Sequence, residues 1–194
     1  TNTLLGEVPE VKNFFVCCGF NSIGIGSGGG AGKVTAEWMM NGHINEDLFI
    51  YDIKRFQKFH SEVKFITERI TETLGDLYGM HWPYKQHKTS RNQKLFPYHE
   101  ELKKAGACFG VSSGYERPMW FALNNEKPEF KYSYNDQNWY PAVKFETKNA
   151  REHVGLFDLT AFSKYDIKGE NAHSELQKIC TANVKDEIGK TTYT

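Results

Sequence analysis

With 194 residues, the chain has room for one ordinary domain or two small ones. Apolar residues make up 39% and aromatic residues 14%, enough for a packed core and too much for a disordered chain. The 24 basic and 24 acidic side chains cancel to zero net charge without a long run of either sign, which argues against a nucleic-acid surface or a polybasic membrane patch.

In chain order, residues 12–18 form a short apolar run with strand character. A glycine-rich loop is expected over Gly19 to Gly32, holding Gly24, Gly26, Gly28, Gly29 and Gly30 as well. Ala31, Val34 and Trp38 then recur at helical spacing, and Gly42 suits the left-handed residue after a helix end. The unit reads as strand, glycine loop, helix. A second helix is expected from Ser61 to Tyr78, with Ser61 as N-cap, Gly79 as stop and Val63, Ile66, Ile70, Leu74 and Leu77 on one face. Residues 81–97 look irregular, and a short helix over His99–Lys104 ends at Gly106.

After Gly114-Tyr-Glu-Arg-Pro-Met-Trp120 comes a polar, proline-bearing stretch to Trp139. Val143, Thr147, Ala150 and Val154 mark another amphipathic helix, with Pro141 suited to its first turn. Leu156–Leu159 and Lys164–Lys168 read as short strands, Tyr165 and Ile167 sharing a face. Ala172, Leu176 and Ile179 predict a last helix that Asn183 ends. The fold class is α+β, with at least two units joined within residues 106–115 and no internal repeat. The longest apolar stretches are far too short to span a bilayer, and the start shows no signal-peptide pattern.

Cys17, Cys18, Cys108 and Cys180 include no Cys-x-x-Cys spacing, so free thiols in a reducing compartment are expected. The histidines show no paired ligand spacing, and no metal site is expected. The glycine loop has two readings. Glycine lets backbone N–H groups approach a ligand, and the following helix start adds unsatisfied donors. Yet Val34 follows Lys33 where a phosphate-binding P-loop needs a hydroxyl. Gly24-x-Gly26-x-x-Gly29 matches a dinucleotide string, but the second strand that should follow it is absent. On spacing alone, a cofactor contact and a structural glycine turn both stand.

The wording of the segments goes further. Asn13-Phe-Phe-Val-Cys-Cys-Gly-Phe-Asn-Ser-Ile-Gly-Ile-Gly26, with Ala36-Glu-Trp38 and Asn41-Gly-His43, resembles the end of the flavin domain in sarcosine and dimethylglycine dehydrogenases. Asp52-Ile-Lys-Arg-Phe56, Tyr78-Gly-Met-His-Trp-Pro83 and Ala105-Gly-Ala-Cys-Phe-Gly110 resemble their central domain. Gly114-Tyr-Glu-Arg-Pro-Met-Trp-Phe-Ala122, Arg151-Glu-His-Val-Gly-Leu-Phe-Asp-Leu-Thr160 and Lys164-Tyr-Asp-Ile-Lys-Gly169 resemble the folate-binding domain shared with the glycine-cleavage T-protein. The boundaries implied are 1–50 for the flavin-domain tail, 51–106 for the central domain and 107–194 for the start of the folate-binding domain.

The resemblance implies an FAD-dependent oxidation of an N-methyl amine such as dimethylglycine or sarcosine. The one-carbon unit passes to tetrahydrofolate, and an electron-transfer flavoprotein or oxygen takes the electrons. It places Asn21, Ser22, Ile23, Gly24, Ile25 and Gly26 against the flavin, where backbone N–H groups would face developing negative charge. It places Phe162 and Tyr193 at a folate pocket and leaves no catalytic or metal-binding residue in the chain. Asp158 fits a turn-ordering role better than a catalytic one. Arg117 beside Glu116 reads as an ordinary ion pair, with an anion clamp as the other possibility. Trp120, Phe121, Tyr132, Tyr134, Trp139 and Tyr140 fit packing, and His153 a capping or core position.

The nucleotide fingerprint and the amine-contacting residues of such enzymes fall before Thr1, and a key folate-domain aspartate falls after Thr194. The chain is therefore expected to be an internal, inactive, poorly soluble piece of a longer flavoprotein. That parent would be cytoplasmic in a bacterium or in the mitochondrial matrix of a eukaryote, without a nucleic-acid or membrane partner. The alternative is a non-catalytic regulator, since the regulatory subunit of pyruvate dehydrogenase phosphatase has the same domain order. A stand-alone aminomethyltransferase is disfavoured because residues 1–105 belong to no such enzyme.

Overall fold

The structure, a computed structural model, describes residues 3–184 and 187–194. Contacts divide the chain into two units, Thr1–Gly155 and Leu156–Thr194. No described helix is long and apolar enough to cross a membrane.

The first unit begins with β1 (Leu4–Glu7) and β2 (Phe15–Cys18), paired antiparallel with Leu5 opposite Cys17 and Glu7 opposite Phe15. The expected strand from residue 12 starts later because Asn13 is left-handed (φ 62°) and the Phe14 N–H donates to the Val11 carbonyl. A turn there precludes extended pairing. Gly19 (φ 73°), Asn21 (φ 45°) and Ser22 (φ 75°) then reverse the chain, and α1 runs Gly24–Asn41. The expected loop over 19–32 is therefore a correction: its last nine residues are helix. Gly26, Gly28, Gly29, Gly30 and Gly32 line a face on which an added Cβ would meet nothing within 4 Å. Ala31, Thr35 and Trp38 are buried instead. Each interior glycine weakens a helix by roughly 1 kcal/mol relative to alanine, so this anchoring stripe holds α1 in place. Trp38 meets Phe15 edge-on at 6.1 Å and lies over Gly6. Gly42 closes α1 with φ 75° and an N–H bonded to the Trp38 carbonyl at 2.8 Å, as the sequence predicts.

α2 (Val63–Asp76) follows two short 3-10 turns, Ile53–Arg55 and Lys58–Ser61. Ser61 does not cap it: Glu62 occupies the N-cap, and the Ser61 hydroxyl donates back to the Lys58 carbonyl at 2.7 Å. Phe65 is its one buried residue, and the side carrying Glu68, Arg69, Glu72 and Asp76 faces the 85–90 segment through hydrogen bonds. The apolar stripe read from the sequence stays open, with Val63 80% and Leu74 51% exposed.

α3 is His99–Lys104, as expected, and Gly106 (φ 86°) turns the chain into β3 (Ala107–Ser112). β3 pairs antiparallel with β4 (Tyr115–Phe121), Cys108 opposite Trp120. The segment 106–115 thus lies inside the first unit, as half of a hairpin. Cys108, Trp120 and Ala142 form the core beside it, with Phe130, Trp139 and Val143 packed against them. α4 (Tyr140–Glu152) carries Pro141 in its first turn and ends on His153 as C-cap. Its Glu146 accepts the Phe121 N–H at 2.8 Å.

The second unit contains α5 (Ala172–Ile179), which stops at Cys180, before Asn183. The strands expected at 156–159 and 164–168 are not formed. The Asp158 carboxylate accepts the Thr160 N–H at 3.0 Å, and the Leu159 carbonyl is taken by Phe162 N–H (3.1 Å) and Lys164 Nζ (2.6 Å). These bonds fold the segment into turns and leave no partner ladder. Asp158 thus has the turn-ordering role expected of it.

Candidate functional site

The Gly19–Ser22 turn delivers the chain to the N-terminus of α1, where Ile23 is the N-cap and no side chain caps the helix. The N–H groups of Gly24, Ile25 and Gly26 have no intrahelical acceptor, as in the first turn of any α-helix. Ile23 (59% exposed) and Ile25 (104%) hold apolar side chains in the open beside them. Backbone donors flanked by two exposed isoleucines fit a flat, partly anionic heterocycle such as a flavin ring. The six residues predicted for flavin contact are thus contiguous on one turn and helix start.

The same turn borders an open groove of about 530 Å³, in the size range of small-molecule sites. Gly19 and Asn21 line one end, and Phe65, Ile66, Ile70 and Leu74 of α2 supply apolar wall. His60, Arg69 and His87 line it too. Burial lowers the pKa of His60 and of His87, with Arg69 acting in the same direction on each. Burial also lowers that of Arg69 itself. Nothing in the sequence spacing links residues 19–21 to 60–74 and 87; only the tertiary fold brings them together.

Behind the groove, Glu72, Asp76 and His87 each place one ligand-type atom within 4.8 Å of the others. Burial alone would raise the Glu72 pKa, but donation from Thr89 Oγ1 and from the Lys88 and Thr89 N–H groups outweighs it and brings it to about 2. Asp76 is paired with Lys85 Nζ at 2.6 Å. The cluster ties α2 to the 85–90 segment.

Arg117 does not pair with its neighbour. Glu116 (2% exposed) accepts Arg91 Nε at 2.8 Å, Arg91 Nη2, and the Asn92 N–H at 2.8 Å. Adjacent strand residues point to opposite faces, which separates 116 from 117. Of the aromatic residues expected to pack, Trp120 is buried, Trp139 meets Tyr84 at 5.8 Å and Tyr132 accepts the Gln86 N–H at 2.7 Å, whereas Tyr134, which meets Trp82 at 4.8 Å, and Tyr140 are exposed. In the second unit, Phe162 (61% exposed) and Tyr193 (91%) hold their rings in the open. The described residues do not enclose a folate at either ring.

Residues 41–95 match the FAD dependent oxidoreductase central domain, and residues 98–194 match the GCVT N-terminal domain. The chain is 40% identical over 193 residues to 4-methylaminobutanoate oxidase (formaldehyde-forming) of Paenarthrobacter nicotinovorans, covering 100% of this chain and 23% of that protein. It is 31% identical over 216 residues to the mitochondrial sarcosine dehydrogenase of Homo sapiens (98% and 24%). It is also 31% identical over 196 residues to the mitochondrial pyruvate dehydrogenase phosphatase regulatory subunit of Mus musculus (98% and 22%). The chain belongs to the sarcosine/dimethylglycine dehydrogenase family, and it carries the match to the FAD dependent oxidoreductase central domain ahead of the match to the GCVT N-terminal domain. It spans between a fifth and a quarter of the length of these relatives.

Proposed function

We propose that the chain is the joint between the flavin-binding and folate-binding parts of an FAD-dependent oxidoreductase acting on an N-methyl amine such as dimethylglycine or sarcosine. When bound, FAD would accept the hydride equivalent of the N-methyl carbon, and tetrahydrofolate would take up the one-carbon unit. The observation that carries the reading is the Asn21–Gly26 segment, whose open N–H groups and exposed isoleucines suit the edge of a flavin ring. In that role the helix start would stabilise negative charge on the ring, and Ile23 and Ile25 would exclude water from its edge.

Phe162 and Tyr193 belong to the same proposal as folate contacts, on the strength of the family match over 98–194. The boundaries proposed are 1–50, 51–106 and 107–194, their order supported by the central-domain match over 41–95 and the GCVT match over 98–194. We take the chain as an internal piece of a longer protein whose electrons go to an electron-transfer flavoprotein or oxygen. The cytoplasm of a bacterium or the mitochondrial matrix of a eukaryote is the compartment proposed. A second reading, a non-catalytic regulatory homologue, is favoured by the likeness to the phosphatase regulatory subunit.

The test is spectroscopic. The protein containing this chain should purify with flavin absorbance that sarcosine, dimethylglycine or 4-methylaminobutanoate bleaches without oxygen. Gly26→Val should weaken flavin retention. Bound flavin that none of these amines reduces would favour the regulatory reading, and absence of flavin would refute the proposal. The 194-residue chain by itself should carry no stoichiometric FAD.

A further inference from the structure

Glu72 and Asp76 stand one turn apart on α2, so their carboxylates leave the same face of the helix. Across from that face, His87 completes a group in which one oxygen or nitrogen of each residue lies within 4.8 Å of the others. Glu72 is oriented by the backbone: the Lys88 N–H donates to Oε1 at 2.7 Å and the Thr89 N–H to Oε2 at 2.9 Å. Such support holds a metal-binding carboxylate in place, and each oxygen of an ionised carboxylate still has a second lone pair to offer. Glu72 Oε1 lies 3.9 Å from His87 Nδ1. Two ligand atoms of a tetrahedral zinc with bonds of about 2.0–2.1 Å stand roughly 3.3 Å apart, so a small turn of the imidazole closes the gap. A cavity of about 270 Å³, lined by Asp76, His81 and His87, gives an ion and its water a way in.

The charges point the same way. Against the two carboxylates stands the Lys85 ammonium, 2.6 Å from Asp76 Oδ1, while the Arg69 guanidinium is turned to the Thr89 and Ser90 carbonyls. Two carboxylates, one ammonium and a neutral imidazole leave one negative charge in a partly buried cluster. A divalent cation in place of the ammonium brings the sum to zero. Lys85, 29% exposed on a flexible stem, is then free to turn into water. We propose that Glu72, Asp76 and His87 form a structural site for a zinc-like divalent cation, with water in the fourth position and Lys85 as the competing cation. One imidazole nitrogen with two carboxylate oxygens suits zinc better than magnesium or calcium, which take all-oxygen shells. Thr73 and His87 line both this cavity and the larger groove beside Gly19 and Asn21. The ion would therefore pin α2 to the 85–90 segment along the groove wall, whatever the groove binds.

The test uses the longer protein that contains this chain, stripped of metal by a chelator and titrated with zinc against a chromophoric competitor. The unsubstituted protein should take up one equivalent of zinc that His87→Ala and Glu72→Gln fail to bind. Lys85→Met, which removes the competing cation, should bind that equivalent about tenfold more tightly. A cluster with only a structural role predicts the reverse, since Lys85→Met would lose an ion pair and gain no zinc. The proposal is overturned if the unsubstituted protein takes up no zinc, if His87→Ala keeps the full equivalent, or if Lys85→Met does not tighten binding. Should Glu72→Gln not fold, His87→Ala and Lys85→Met decide, because both side chains are partly exposed. Zinc uptake is read without amine or flavin reduction, so the result is independent of whether the longer protein is an oxidoreductase or a regulator.

Discussion

Replacing Glu116 by glutamine removes the charge from the most completely buried ion pair in the first unit. Glu116 is 2% exposed and takes three donors, two from Arg91 and one from the Asn92 N–H. Glutamine keeps one acceptor oxygen and turns an N–H₂ group toward a donor, so at least one charge-assisted bond is lost, worth about 1.5–3 kcal/mol. Arg91 then keeps an uncompensated charge, which takes the loss in buried pairs to about 3–5 kcal/mol. Since the Arg91 side chain is 25% exposed, water recovers part of this, and about 3 kcal/mol is expected. Burial pushes the Glu116 pKa up, but donation from Arg91 and Asn92 outweighs it and holds it below the usual value. A depressed carboxylate stabilises above its unfolded pKa of about 4.3 and loses that contribution as pH falls through the folded value. Urea unfolding followed by tryptophan fluorescence should therefore show the full loss at neutral pH and a shrinking difference below about pH 4. The double replacement Arg91→Met with Glu116→Leu should recover part of it. A loss under about 1 kcal/mol at neutral pH would show that the pair does not anchor β4 to the 91–94 segment.

Other outcomes follow from single contacts. Gly6 has φ 112°, and an added Cβ would lie 2.5 Å from Cη2 and Cζ3 of Trp38. Gly6→Ala should therefore cost about 2–4 kcal/mol and alter the near-ultraviolet dichroism of Trp38. Glu72, with its pKa at about 2, stabilises above about pH 4.3 and loses that effect toward pH 2. The stability gap between the wild type and Glu72→Gln should narrow over that window in acid titrations. Burial pushes the Cys108 thiol up to about 11, while Cys17 and Cys18 are exposed. Alkylation at neutral pH, read by mass spectrometry, should label the exposed pair first and Cys108 only after unfolding.

What the sequence made legible is local. α3 and α4 were readable from short-range signals: a stop at Gly106, Pro141 in a first turn, and apolar residues three and four apart. The end of α1 was readable because a left-handed residue after a helix favours glycine. Its beginning was hidden: glycine density suggests a loop, whereas Ala31, Thr35 and Trp38 fasten the helix from its other face. β1 has too little pattern in its four residues to be read locally, and its existence depends on a partner strand that begins eight residues on, at Phe15. The strands expected after Leu156 failed for the converse reason, a suitable local pattern without a partner.

Residue types and spacing thus determined the α+β class, the ends of several helices and the family wording of the 19–26 segment. Tertiary structure decided which side of α2 faces protein, that Glu116 pairs with Arg91 and not Arg117, and that Asn21, His60 and Arg69 border one groove. The division has a physical cause. Caps, turns and periodicity act within a few residues, whereas pairing and burial join groups 25 to 52 positions apart, such as Arg91 with Glu116 and Arg55 with Thr3. No local signal records such a partner until the chain has folded.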